Sequence, residues 1–320
     1  MKKYKLTDET MHIYGRTLYR IEAVKEFADV KKGDKGGWVE SEDNLSQEDN
    51  CWIYDNAKVY DDDARVVGNA CISGEAEVYD DAKVYGNAKV YGNALIYGRA
   101  IIYDNAKVYD DADVCEDAEV YDNAEVYGHA KVCGYSEVCD NAKICDDAKV
   151  FDNAIAFDNA VVFENAEVYG NAEIYGDAKV FDYADIYGNA VVYDNAQVYG
   201  NAKVFENAEV SFDAKVYEYA KVYEYAMVQG NAKVYGNAEI RTNACIYGDA
   251  VIDSIGDYIV FKNFWSSGRS FTWTRSNDMW KVGCFYGTGE ELIKKAYKES
   301  EISGREYERI VKYVETIKGK

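Results

Sequence analysis

His12 and His129 are the only two histidines in a chain of 320 residues. Imidazole is the commonest general base and the commonest metal ligand, so this scarcity bounds the chemistry at once. The eight cysteines are the next candidates. Cys133, Cys139 and Cys145 follow one another at six-residue steps. In a coil that turns a corner every six residues they face three different ways and cannot share an ion. Cys115 stands 18 residues before Cys133, close enough in such a coil for a disulfide by distance, but both thiols are expected reduced. The sequence carries no Ser-His-Asp set, no P-loop and no G-x-G-x-x-G. No catalytic residue, metal ligand or cofactor is therefore expected.

Other chemistry could come from the two ends. Trp265, Trp273 and Trp280, three of the five tryptophans, lie near Arg269 and Arg275. These five form a candidate pocket for a ligand or partner; a compact core beneath the last coil is the simpler alternative. The 58 acidic residues against 36 basic give a net charge of -22, which disfavours direct binding to nucleic acid or to an anionic membrane. No apolar run reaches the ~18 residues a membrane span needs. The basic start MKKYKLTDET lacks an apolar core, so no signal peptide is expected. The expected place is the cytoplasm, where thiols stay reduced.

What positions these residues is an internal repeat. From Ala64 to Ile252 a six-residue unit recurs 32 times, in forms such as NAKVYG and NAEIYG. We call its Val or Ile position i. It is Val or Ile in 31 units, the exception being Ala156, and position i−2 is Ala in 31, the exception being Ser136. Units at Ile53 and Val59 lead in, with one extra residue near Asp63 before Val66. Position i−3 is Asn 17 times and Asp 8 times, and i−4 is Gly 14 times. These residues tolerate left-handed backbone at tight turns. A six-residue period is neither helical nor simple alternation; it predicts two-sided short strands with Val or Ile inside and Ala at an inner corner. Three units close a triangular coil of 18 residues, giving about 11 coils and a rod of ~50 Å.

This pattern resembles the hexapeptide-repeat, left-handed parallel β-helix family over roughly residues 52–254. The expected fold is an all-β solenoid with an N-terminal cap (1–51), the β-helix (52–254) and a C-terminal α+β domain (255–320). Gly33–Trp38 reads as a tight turn and Thr17–Ala23 as a strand. In the last segment Tyr258–Phe264, Ser270–Arg275 and Met279–Tyr286 read as three strands. Thr288 with Glu291, and Ser303 with Glu306, read as capping boxes opening two helices. Residues Gly33 to Ile53, with Trp38, Asn44, Leu45 and Trp52, resemble the segment that precedes such coils in phage and prophage-type proteins. The transferases and carbonic-anhydrase-like members of the coil family imply a histidine base or three zinc-binding histidines. Here the coil holds His129 alone, at a position where Asn is usual.

The outside of the coil is uneven. Position i+1 is Tyr 17 times and Phe 5 times, so aromatic ladders such as Tyr85, Tyr103, Tyr121 are expected to stack between turns. Position i−1 includes Ile101, Ile155, Val191 and Met227 on one face. With Tyr103, Phe157 and Tyr193 beside them they form a candidate interface, either between copies of the chain in a homo-oligomer or with a protein partner. Residues 51–254 hold 15 basic and 38 acidic groups, a linear density approaching that of duplex DNA. The leading expectation is a non-enzymatic interaction or scaffold protein. The phage-type resemblance implies a counter-defence decoy in the host cytoplasm that occupies a nucleic-acid-binding or defence protein. A small-ligand (nucleotide) sponge, a self-assembling rod and an acyltransferase-like enzyme are the alternatives.

Overall fold

The computed structural model describes residues 2–318. The chain divides into two compact units, 1–182 and 183–320. Each contains a parallel β-solenoid of two-residue strands spaced six residues apart, 22 in the first unit and 12 in the second.

Successive turns pair in parallel at a separation of 18 residues, for example Lys89↔Lys107 and Val90↔Val108 in the first unit, or Met227↔Cys245 in the second; across the extra lead-in residue Trp52 and Lys58 pair 19 residues on, with Cys71 and Glu77. Three strands therefore make one turn and three parallel sheets form the walls. Position i and the Ala at i−2 have no exposed surface, as at Ala88, Val90, Ala106 and Val108. Only alanine fits the inner corner, and where Ser136 replaces it the hydroxyl donates to the Cys133 carbonyl at 2.8 Å. Each outer corner is made by residue i−4 in the left-handed region, whether Gly86 (φ 68°) or Asp104 (φ 55°). The extra residue of the lead-in falls between Asp61 (φ 78°) and Gly68 (φ 69°), seven positions apart.

The first unit opens with an antiparallel hairpin, Tyr4–Ile13 and Arg16–Ala23, turning on Tyr14 and Gly15, both at positive φ. Gly33–Trp38 is not one tight turn. The turn ends at Asp34, whose N–H donates to the Lys31 carbonyl at 3.0 Å, and Lys35–Val39 is a strand. Its glycines serve close packing: a Cβ on Gly36 would lie 2.6 Å from the Ile53 carbonyl oxygen. This strand is antiparallel to Arg16–Ala23 and parallel to Lys58–Val59, so it converts the hairpin into the first solenoid wall. Asn44 is buried and donates to the Asp61 and Ala64 carbonyls at 2.6 and 3.1 Å. Lys3, also buried, gives its ammonium to the Cys51 carbonyl at 2.8 Å.

In the second unit the chain leaves the solenoid after Val251–Ile252 and forms a four-stranded antiparallel sheet. Four strands replace the three expected, because Gly283 at φ 54° breaks Met279–Tyr286 into Met279–Val282 and Phe285–Gly287. Helix α1 (Gly289–Glu299) starts at the Thr288–Glu291 capping box as expected. Helix α2 (Glu301–Ile317) starts three residues earlier than expected, because Ser300 is its cap and accepts from the Ser303 N–H. Phe271, Trp273, Trp280, Leu292, Val311 and Val314 pack between sheet and helices. Hydroxyls of this domain satisfy the open end of the coil: Cys245 N–H donates to Thr272 Oγ1 at 2.9 Å and Val251 N–H to Ser276 Oγ at 2.7 Å. No described helix is long and apolar enough to cross a membrane.

The cysteine expectation needs a correction. Cys115 and Cys133 form a disulfide, with Cα atoms 4.7 Å apart. Equivalent outer positions one turn apart sit at the strand spacing, within disulfide range, so the coil presents the pair whatever the compartment. Cys133, Cys139 and Cys145 do follow strands of three different sheets.

Outer aromatics stack from turn to turn. Tyr85–Tyr103 and Tyr103–Tyr121 have ring centroids 5.1 and 4.9 Å apart. Tyr103 and Tyr121 donate to Glu119 and Glu137 at 3.2 and 3.0 Å. Burial, then the neighbouring carboxylate, pushes the Tyr103 phenol upward; burial, then the next phenol, pushes Tyr79 up to about 12.

Two outcomes are expected. Ala172, fully buried at an inner corner, should not accept a larger side chain, and Ala172→Leu should cost ~1–3 kcal/mol by overpacking; an unchanged urea midpoint would contradict the interior placement. The phenols stay neutral in the fold beyond the ~10 at which unfolded tyrosine ionises. Their contribution is complete below pH ~10 and lost as pH rises above it. Stability measured by urea titration should therefore fall between pH 9 and 11.5, and a flat profile there would contradict the ladders.

Candidate interaction surfaces

The candidate interface residues lie on one sheet in each unit, but they do not form an unbroken stripe. In the first unit Ile101 sits between Lys83 and Glu119, and Ile155 between Glu137 and Glu173. In the second unit Glu209 separates Val191 from Met227. The apolar positions are thus half-buried singles flanked by charge. Tyr103 and Phe157 are used in ladders, Phe157 stacking on Tyr175 at 4.7 Å, and Tyr193 follows the Val191–Val192 strand.

The five C-terminal candidates are also dispersed. Trp273 and Trp280 are core residues, and Trp273 Nε1 donates to Asp278 Oδ1 at 2.8 Å. Trp265 packs edge-on against Tyr307 at 5.3 Å. Arg275 is exposed beyond the Ser270–Thr274 strand. Arg269 instead joins Met227, from the other candidate set, in a cleft of about 520 Å³ with Glu209, Cys245 and Lys281. Sequence spacing gave no sign of this meeting, since the cleft forms where the C-terminal sheet folds against the last coil turns of its own unit.

His129 sits on the surface, with Nδ1 3.9 Å from Asp111 Oδ2. His12 Nδ1 is 3.1 Å from Thr17 Oγ1 on the N-terminal hairpin.

The most regular surface feature is the outer corner. In the first unit Asp104, Asp122, Asp140 and Asp158 succeed one another at 18-residue steps, all at positive φ. Corner carboxylates accept the backbone N–H of the corner one turn on. Asp140 Oδ2 accepts from Asp158 at 3.2 Å, Asp158 Oδ2 from Gly176 at 3.1 Å, and Asp146 Oδ2 from Glu164 at 3.2 Å. Beside this column runs an amide ladder, Asn87 to Asn105 to Asn123 to Asn141 to Asn159, with Nδ2···Oδ1 distances of 3.2–3.4 Å. The Asp140, Asp146 and Asp158 carboxylates are thus fixed in direction by backbone amides, with one oxygen engaged.

The comparisons agree with the architecture. No curated protein matches the chain. Residues 184–200, which span three strands of the second unit's solenoid, match the family model described as the YdcK beta solenoid repeat.

Proposed function

We propose that the chain is a non-enzymatic interaction scaffold that engages a basic protein through its acidic corners. The observation that carries this reading is the Asp104–Asp122–Asp140–Asp158 column, in which like charges recur at every turn and the Asp140 and Asp158 carboxylates are held by backbone amides. At the ~4.8 Å strand spacing such a column approaches the ~3.4 Å per phosphate of one DNA strand. A protein that ordinarily grips a nucleic-acid backbone is the partner this pattern fits. The phage-type resemblance of Gly33 to Ile53 favours a host defence protein and the host cytoplasm. Self-association through Ile101 and Ile155 has less support, because Glu119 and Glu137 interrupt that face.

Fixed charges are screened within ~8 Å at physiological salt. Binding to such a partner should weaken steeply as salt rises, and duplex DNA should compete. Changing Asp104, Asp110, Asp122 and Asp158 together to Asn should lower affinity without unfolding the coil, since the amide oxygen still accepts from Gly128 and Gly176. The reading fails if the variant binds as tightly as the parent in a salt titration by surface plasmon resonance, or if partner, DNA and this protein form a ternary complex.

A further inference from the structure

We propose that the cleft in the second unit binds a small molecule that joins a compact anionic head group, a phosphate monoester or a carboxylate, to an apolar ring. The cleft holds about 520 Å³, within the range of small-ligand sites. Its apolar floor comes from two paired strands of the coil, Met227 and Cys245. Cys245 is anchored by the Thr272 hydroxyl at 2.9 Å, and burial pushes its thiol up to about 11. It therefore stays a neutral, weakly nucleophilic wall, and the site is one for reversible binding.

The cationic side comes from the C-terminal sheet. Lys281 lies opposite Thr272 in that sheet, and its ammonium rests 4.0 Å from the Tyr247 ring centroid, which fixes it without neutralising it. Arg269 extends past Gly283, where a Cβ would lie 3.3 Å from Arg269 Nη1. Among the described residues neither cation has a carboxylate partner, whereas Lys221 in the same unit pairs with Glu239 at 3.3 Å and Lys318 with Asp278 and Glu315. Two unpaired cations over an apolar floor are suited to an anion carrying a ring. Glu209 on the opposing wall limits the net positive charge and so works against the head group.

The test is calorimetric titration of the full chain with phenyl phosphate and with benzoate, inorganic phosphate serving as the head group alone. At least one ring-bearing probe should bind 1:1 and more tightly than inorganic phosphate; the tighter of the two identifies the head group. Arg269→Ala and Lys281→Ala should each weaken that binding about tenfold, the loss of a charge-assisted hydrogen bond. Glu209→Gln should tighten it, an effect that damage to the fold would not produce. Circular dichroism and thermal midpoints verify that each variant is folded, and Arg269→Gln or Lys281→Gln replaces the alanine variant at the same position if that one is not. Absence of binding by both probes at millimolar concentration, or binding unaffected by all the substitutions, would overturn the proposal.

Discussion

Two-residue strands cannot hold themselves together, so everything in this protein depends on backbone hydrogen bonds between turns. The Lys89 N–H reaches the Ala106 carbonyl and the Tyr91 N–H the Val108 carbonyl, each at 2.9–3.0 Å, and the same exchange repeats every six residues. That bonding survives only if all turns have equal perimeter, which requires the chain to bend sharply at every outer corner. The bend needs positive φ, a conformation glycine adopts freely and other residues adopt at some cost. In the coil the non-glycine occupants are mostly Asp and Glu, and carboxylates such as those of Asp80, Asp110, Asp140, Asp146 and Asp158 compensate by accepting the next corner's N–H. Stability in such an array is a sum over neighbouring turns, so each open end must be covered. Lys35–Val39 does this for the first unit, and the hydroxyls of Thr272 and Ser276 do it in the second.

The surface chemistry follows from the same constraint. A side chain repeated every 18 residues is placed at ~4.8 Å intervals, so any residue type chosen for one turn becomes a column. Tyrosines become stacked ladders, asparagines an amide ladder, and aspartates a line of anions. The first two stabilise the coil through contact between like groups. The line of anions is opposed by mutual repulsion, and the amide hydrogen bonds hold it in place. The acidity thus has a structural role at the corners and, on the proposed reading, a recognition role on their outward side.

Much of this was legible in the sequence because one chain supplies its own alignment. Ala at i−2 and Val or Ile at i specified the interior, the strand spacing and the stacking of Tyr85 on Tyr103. The ends were less legible because they do not repeat. The strand at Lys35–Val39 was hidden by glycines chosen for close approach to Ile53. Gly283 broke a run that alternation alone reads as continuous, and Ser300 outcompeted Ser303 as a helix cap. On the surface, the apolar positions around Ile101 and Ile155 were visible, but their meaning depends on Glu119 and Glu137 between them. The Arg269–Lys281–Met227 cleft required the packing of a non-repeating sheet on repeating turns, which no periodicity encodes.

Corner carboxylates such as those of Asp80, Asp110 and Asp158 are locked to backbone amides one turn on. Amide hydrogen exchange measured by NMR near neutral pH tests this locking residue by residue. Gly98, Gly128 and Gly176 donate to Asp80, Asp110 and Asp158 at 3.1–3.4 Å. Gly86 and Gly92 occupy the same corner position, but the residues one turn before them, Gly68 and Gly74, have no side chain to accept. The first three amides should exchange several-fold more slowly than the last two. Equal exchange at all five would mean that the carboxylates are free in solution and that the fixed anionic column does not exist.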